Sequence, residues 1–187
     1  MKTKRMSNYL KMILLLLAAS GVQAQETYNL EPKAALAISG TSTLHDWEMT
    51  SNTSTGKLVA TAKAGKLEKI ASLAIEMPAE SIKSGKKGMD KNAYKALKTA
   101  QYKNVKFDLK QAVKTGTGWN LTGTFTIAGV AKEVIIAVKE TSTAGKFTLS
   151  GNYSFNLTDY KIDPPTAMMG TIKTGNAVKI TFTVSFK

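Results

Sequence analysis

The sequence predicts an all-β antiparallel fold with one helix, and three observations lead to this prediction. Apolar and polar residues alternate with a period of two over most of the chain, as in strands that bury one face. Short turn signals, rather than helical crossovers, separate these runs. A single segment near residues 90–102 repeats its apolar residues at helical spacing. Strands at this spacing favour a closed barrel or a sandwich.

The predicted strands follow the clearest alternation. In the last run, from Val178 to Phe186, every second residue is apolar and the residues between them are lysine, threonine or serine. Glycines at Gly116 to Gly118 and at Gly129 separate neighbouring runs by a few residues, as hairpin turns do. In chain order, the predicted strands cover residues 34–39, 44–50, 57–64, 68–77, 105–110, 121–127, 132–139, 147–155 and 178–186.

The helix is predicted from Asp90 to Tyr102. Its apolar face carries alanines and a leucine at helical spacing, lysines occupy the other face, and Asp90 is available as the N-cap. A glycine- and lysine-rich loop, 81–88, precedes it, and we expect the helix to lie across one end of the sheet. A second irregular stretch, 158–176, contains Met168 and Met169, which either anchor this loop or stand at the mouth of an apolar cavity.

Length and composition indicate one domain. The 187 residues correspond to a single ordinary domain. The chain has no cysteine, which excludes disulfides, thiolate metal sites and a cysteine nucleophile. The net charge of +13 rests almost wholly on lysine, since Arg5 is the only arginine. Base and phosphate recognition favours the guanidinium fork, so we expect no nucleic-acid partner.

The first residues form a predicted signal peptide. Lys2, Lys4, Arg5 and Lys11 precede an apolar run over residues 12–19 that is too short to span a bilayer. The small residues at positions 22 and 24 predict cleavage after Ala24. Cleavage would leave a single domain over residues 25–187 with 22 basic and 13 acidic residues, hence a net charge of +9. We therefore expect a periplasmic or secreted protein.

The residue inventory argues against an enzyme. His45 is the only histidine, and Asp46 beside it would point to the opposite face of a strand, where it could not orient the ring. The sequence has no nucleophile elbow, phosphate-binding loop or dinucleotide fingerprint. One histidine without cysteine cannot supply a zinc site, and the carboxylates are scattered singly. We predict no catalytic residue and no metal.

Several segments carry a family resemblance. The stretch from Gly40 to Trp47 reads GTSTLHDW, and residues 121–134 read LTGTFTIAGVAKEV. These segments resemble the YceI-like family. The resemblance extends to Met89-Asp90 and to the segment 96–107, where Asn104 replaces a proline that is common in the family. It also includes 159–162, Pro164-Pro165, Gly170 and the final strand. That family comprises lipid- or polyisoprenoid-binding proteins with a lipocalin-like barrel. The resemblance covers nearly all of the chain after residue 24, in the right order.

The resemblance implies an antiparallel lipocalin-like barrel of about eight strands that encloses an apolar tunnel for an isoprenoid or another lipid, with a quinone or a prenyl phosphate as candidate ligands. It implies no other cofactor. The family often dimerises, so a homodimer is a candidate assembly, but the sequence does not determine the oligomeric state. The alternative is a barrel filled by its own side chains, which would serve as a structural or stress-related interaction module. Periodicity leaves these two alternatives open, because it does not measure interior volume.

The expected site follows from the alternation. Residues predicted to line the tunnel are Trp47, Phe107, Phe125, Ile127, Phe147, Phe155, Met168, Met169, Ile180 and Phe182. We expect His45 to share the inward face of Trp47 as a hydrogen-bonded core residue, with a head-group contact as the alternative. The lysine cluster Lys83, Lys86 and Lys87 is either a solvated face, or a contact for a ligand head group and for transient docking on an anionic membrane.

Overall fold

The computed structural model describes residues 24–32 and 34–187. The predicted signal peptide lies outside these residues, apart from Ala24. Eleven strands and one helix account for most of the described chain. They are β1 (Glu26–Asn29), β2 (Ala35–Ser42), β3 (Trp47–Ser51), β4 (Thr55–Lys63), β5 (Lys66–Pro78), α1 (Lys87–Leu97), β6 (Asn104–Lys114), β7 (Gly118–Ile127), β8 (Val130–Thr143), β9 (Lys146–Asn156), β10 (Thr166–Ala167) and β11 (Ile172–Phe186).

The strands form one curled antiparallel sheet with the order β1-β4-β5-β6-β7-β8-β9-β11-β2-β3, and β10 pairs with β11. At one end the sheet closes on itself, because Asn29 and Lys187 exchange two backbone hydrogen bonds of 2.8 and 2.9 Å. At the other end Thr50 of β3 exchanges bonds of 2.8 and 2.9 Å with Lys83, in the segment before α1. The predicted lipocalin-like barrel is confirmed as a strongly curled half-barrel, and β1 and β10 are strands that the alternation did not reveal.

Three of the hairpins turn on the same dipeptide. Ala64-Gly65, Ala128-Gly129 and Ala144-Gly145 have φ of 48 to 50° at the alanine and 76 to 77° at the glycine. Two successive residues with positive φ are typical of the two-residue turn that matches strand twist. The turn expected at Gly129 and Val130 is therefore formed by Ala128 and Gly129, one residue earlier. The predicted strand 57–64 ends at Lys63.

The helix begins and ends earlier than predicted. Lys86, not Asp90, is the N-cap residue, and it makes no side-chain capping bond. The Asp90 carboxylate instead accepts hydrogen bonds from the Ser84 backbone N–H at 2.7 Å and the Ser84 hydroxyl at 2.6 Å, which stabilise the preceding turn. These bonds hold the pKa of Asp90 below its usual value. The helix ends after Leu97, because Lys98 adopts the left-handed conformation with φ of 53°.

The interior divides into two hydrophobic clusters. The larger cluster includes Leu58, Trp119, Phe147 and Phe186 and fills the end of the half-barrel that the Asn29–Lys187 pair closes. The smaller cluster is buried near the other end, with α1 packed against it through half-buried residues. Its buried members are Met49, Met77, Ala79, Ile82, Val105, Ile127, Ala128, Tyr160 and Ile162. One end of the fold is therefore a packed core, and the open space of the interior lies at the end near α1.

Candidate ligand-binding cavity

A cavity of about 600 Å³ lies between α1 and the end of the sheet that α1 crosses. Side chains from β2, β3, β5, β6, β7, β9 and β11 line it together with α1 and the loop 165–172, and most of them are apolar. Met49 and Met77 are almost fully buried on its wall, as is Ile127. The volume and the apolar lining are typical of small-molecule sites in proteins.

The floor of the cavity is an aromatic cluster. Phe155 lines the cavity, stacks on Tyr153 with ring centroids 5.3 Å apart, and meets the edge of Tyr160 at 5.0 Å. Phe125 contacts both tyrosine rings, at 5.5 and 6.3 Å, and joins the floor to the filled core through Phe107. The Tyr160 ring is fully buried, and this burial raises the pKa of its hydroxyl well above the usual value. These rings separate the cavity from the packed end.

The roof of the cavity is the apolar face of α1. Ala93 and Ala96 line the cavity, and their short side chains leave room beneath the helix. The helix is held at its side by the Tyr94 hydroxyl, which lies 2.9 Å from the carbonyl oxygen of Glu80 and 3.0 Å from that of Ile82. Burial of this hydroxyl, with the nearby charges of Asp90 and Glu80, raises the pKa of Tyr94.

The mouth is defined by residues that line the cavity and are also exposed to solvent. They include Leu44, His45, Lys86, Lys91 and Met168. Two of these side chains are cationic, and none of the described residues that line the cavity is an aspartate or glutamate. The mouth therefore combines an apolar surface with positive charge.

Trp47 and His45 stand side by side at this mouth in different environments. Trp47 begins β3, donates from its indole nitrogen to the carbonyl oxygen of Thr41 at 2.9 Å, and covers Gly40, where a methyl group would overlap its ring. His45 precedes the strand and is exposed, with Nδ1 at 2.6 Å from the backbone oxygen of Asp46. The prediction that His45 is a buried core residue is wrong, because His45 lies in the loop before the strand, where strand alternation does not apply.

The structure brings together about half of the predicted site residues. Those that line the cavity are Trp47, Ile127, Phe155, Met168 and Ile180, with His45 and Lys86 at the mouth. Phe107 and Phe147 belong to the filled core, and Phe125 and Phe182 pack against it. Met169 is completely exposed, and Lys83 and Lys87 are exposed outside the lining.

Distance along the strands explains the split. Phe147 and Phe155 both lie on β9, but Phe147 pairs with Phe186 and Phe155 pairs with Val178. Eight residues of strand separate the two phenylalanines by about 26 Å. Alternation reveals which face a side chain occupies, but not its height along the barrel.

The sequence analysis did not identify the parts of the cavity wall that methionine side chains and α1 form. Met49, Met77, Ile82 and Leu97 line the cavity, although none was proposed as a site residue. Met49 and Met77 share the inward face of predicted strands, so the alternation contained a signal for them. Leu97 lies on the apolar face of the predicted helix, and a prediction of where that face packs would have found it.

The described residues contain no group of three or more histidine, cysteine, aspartate or glutamate side chains placed to hold a metal ion. Within the same part of the chain, no helix has the length and apolar character needed to cross a bilayer.

A lipocalin-like half-barrel with an apolar cavity under its helix defines a class of proteins suited to enclosing a hydrophobic molecule. The family model of the YceI-like domain matches residues 23–186, and the chain belongs to this family. No curated protein matches the chain significantly in sequence.

Solved structures with the same fold differ widely in sequence. BcnA from Burkholderia cenocepacia has a TM-score of 0.69 at 16% identity, over 82% of this chain and 96% of BcnA. A polyisoprenoid binding domain from Saccharophagus degradans, implicated in plant cell wall breakdown, has a TM-score of 0.64 at 10% identity, over 86% of this chain and 97% of that domain. The YceI protein from Campylobacter jejuni has a TM-score of 0.57 at 18% identity, over 71% and 80% of the two chains.

Proposed function

We propose that this protein binds and carries a chain-shaped lipid, an isoprenoid in the first place, in the cavity beneath α1. It carries out no chemistry of its own and acts in the periplasm or outside the cell, as the predicted signal peptide implies. The observation that carries the proposal is the apolar cavity of about 600 Å³ with a cationic mouth. The name of the Saccharophagus degradans domain, which has the same fold, supports an isoprenoid as the ligand class.

The cavity volume limits the length of chain that can be enclosed. At about 30 Å³ for an atom of the size of a water molecule, 600 Å³ holds about twenty heavy atoms. Burial of about fifteen methylene-sized groups at about 0.8 kcal/mol each would contribute about 12 kcal/mol, before the cost of association. That cost is between about 4 and 15 kcal/mol, so useful affinity needs most of the cavity to be filled.

The mouth favours a ligand with an anionic or strongly polar head group. Lys86 and Lys91 both line the cavity and reach solvent, and His45 lies on the same opening. A prenyl phosphate would place its charge near these ammonium groups, whereas a quinone would use them as hydrogen-bond donors. Lys83 and Lys87, for which a head-group contact was one of two expected roles, lie outside the lining.

The second candidate function is a filled structural module, and the packed end of the half-barrel is the observation in its favour. Packing of this kind occupies the closed end and stops at the aromatic floor around Phe155 and Tyr160. A module without a ligand has no evident need for a cavity at the other end. The cavity therefore favours the carrier over the filled module. Whether the protein forms a homodimer is a separate question, and the homodimer stays a prediction.

The test is to identify what the protein binds. Purified protein is extracted with organic solvent, the extract is analysed by mass spectrometry, and the stripped protein is titrated with farnesol while the emission of Trp47 is followed. We expect an isoprenoid in the extract and saturable farnesol binding, which the Trp47→Phe variant reports only weakly. Absence of any lipid in the extract, together with no farnesol binding, would refute the carrier and leave the filled module.

A further inference from the structure

Exposed apolar side chains gather at the mouth of the cavity. Leu44 is 64% exposed, Met168 is 73% exposed and Met169 is fully exposed. In the described part of the chain these are three of the five large hydrophobic side chains that are exposed, and the other two, Val113 and Ile135, lie on strands of the sheet. An exposed apolar group of this kind marks an interaction surface more often than single scattered residues do.

The two loops that carry these residues are joined to each other. The Thr43 N–H donates to the carbonyl oxygen of Lys173 at 3.0 Å, and the Lys173 N–H donates to the Thr43 hydroxyl at 3.1 Å. The Thr43 hydroxyl in turn donates to the carbonyl oxygen of Thr171 at 3.3 Å. Leu44 therefore stands next to the loop that presents the two methionines, and we call these three exposed residues the methionine tip (Leu44, Met168 and Met169).

The backbone of the methionine tip is strained in a way that projects the side chains outward. Met168 and Met169 have φ of 51 and 55°, and Gly170 follows with φ of 89°. The left-handed conformation is unfavourable for residues with a Cβ atom, and the surrounding structure must hold them in it. Bonds from Thr171 N–H to the Met168 carbonyl, at 3.2 Å, and from Thr174 N–H to the Pro165 carbonyl, at 3.0 Å, hold the loop in this shape. In this conformation Met169 is fully exposed although an apolar cavity is adjacent.

Positive charge lies at the same opening, on the segment that begins α1. Lys86 and Lys91 are exposed and line the cavity, and Lys87 is exposed between them in sequence. None of the described residues lining the cavity carries a negative charge. Apolar side chains beside a set of lysines match the interface of a bilayer with anionic lipids, where the apolar groups enter the acyl boundary and the lysines meet the head groups.

We propose that the methionine tip and the lysines of the mouth dock this protein on an anionic lipid bilayer, with Met168 and Met169 inserted among the lipids. Methionine suits this role because its unbranched, flexible side chain adapts to the disordered lipid around it. The purpose of docking rests on the proposed function: a cavity that opens against the bilayer lets a lipid enter or leave without crossing water. The docking surface itself rests on the residues described above.

The experiment measures vesicle binding without added cargo. Purified protein is floated with vesicles of phosphatidylglycerol and phosphatidylethanolamine, and separately with vesicles of phosphatidylcholine, at low and high salt. We expect binding to the anionic vesicles that weakens with salt. Met169→Ser should reduce the partition coefficient about tenfold, because one buried methionine side chain contributes on that scale. Ile135→Ser, which removes an exposed apolar side chain from β8, away from the tip, is the control and should leave binding unchanged.

The lysines are tested in the same assay. The double substitution Lys86→Gln and Lys91→Gln should lower binding to anionic vesicles severalfold and remove most of its salt dependence. The double substitution Lys132→Gln and Lys139→Gln changes the net charge equally on exposed positions of β8 and should have little effect. Equal losses in the two double variants would mean that net charge alone drives binding, and would overturn the proposed surface.

Docking and cargo binding are separated by a second readout. Met169 does not line the cavity, so Met169→Ser should bind farnesol in solution as the wild type does. Wild-type protein that docks on vesicles but binds no farnesol would leave the docking surface standing and refute the carrier function. Failure of the wild type to bind anionic vesicles would overturn the docking proposal, as would equal losses in Met169→Ser and Ile135→Ser. A dimer in light scattering that Met169→Ser converts to a monomer, without vesicle binding, would assign the tip to a second copy of the chain instead.

Discussion

Replacing Ala96 by phenylalanine should shorten the lipid that the protein can enclose. Ala96 lies on α1 and points into the cavity, where its methyl group leaves space. Phenylalanine adds six carbon atoms to a space of about twenty heavy atoms, so about fourteen would remain for the ligand. A ligand with a ten-carbon chain should still fit, whereas one with a twenty-carbon chain should lose about six buried carbons.

The magnitude follows from the cost of exposing those carbons. Six methylene-sized groups at about 0.8 kcal/mol each set an upper limit of about 5 kcal/mol. Part of the displaced chain can lie against exposed Leu44 and Met168 at the mouth, which reduces the loss. We therefore expect geranylgeraniol to bind at least tenfold more weakly, a change of at least about 1.4 kcal/mol, and geraniol to bind within about twofold of the wild type.

The assay follows the emission of Trp47, which lines the cavity, during titration with geraniol, farnesol and geranylgeraniol. Trp119 contributes a constant background, because it is 2% exposed in the filled core. Ala100→Phe is the control, since Ala100 is exposed in the turn after α1 and does not line the cavity. An equal loss of affinity for all three alcohols, or no loss for the longest, would refute a cavity of limited length under α1.

Three further predictions concern stability and are checked by urea unfolding. Gly40→Ala should destabilise the fold by about 1–3 kcal/mol, because the added methyl group overlaps the Trp47 ring, and an unchanged unfolding midpoint would contradict this packing. Ala64→Asn and Ala144→Asn should each stabilise the fold by up to about 1 kcal/mol, because asparagine tolerates the positive φ at these positions better than alanine. A loss of stability in both variants would show that alanine is not strained at these two positions. Burial and the Glu26 carboxylate raise the pKa of Tyr28 to about 12. The folded state thus favours the neutral phenol, so stability should fall as the pH rises from about 10 to 12. This fall in stability should be smaller in Tyr28→Phe. An identical pH dependence of stability in the variant and the wild type would contradict the raised pKa of Tyr28.

The period of two and the family motifs were sufficient to predict the sheet. A strand with one buried face must alternate, so the inward residues of β9 and β11 could be read directly from the sequence. The hairpin turns were harder to predict, because alanine is an uncommon residue at positive φ and Ala64 and Ala144 gave no turn signal. The start of α1 was missed because the Asp90 carboxylate binds the Ser84 turn rather than the end of the helix.

The fold class, the family and the inward residues of the regularly alternating strands could be predicted from the chain alone, because they depend on local periodicity and on motifs that are contiguous in the chain. The filled end and the hollow end of the interior could be distinguished only from the three-dimensional packing. Phe147 and Phe155 have the same alternation on one strand, but lie in the packed core and on the cavity floor respectively. Adjacent Met168 and Met169 also differ, since only Met168 lines the cavity. Interior space depends on how the sheet curls and where α1 crosses it, and both result from pairings between residues far apart in the chain, such as Asn29 with Lys187 and Thr50 with Lys83.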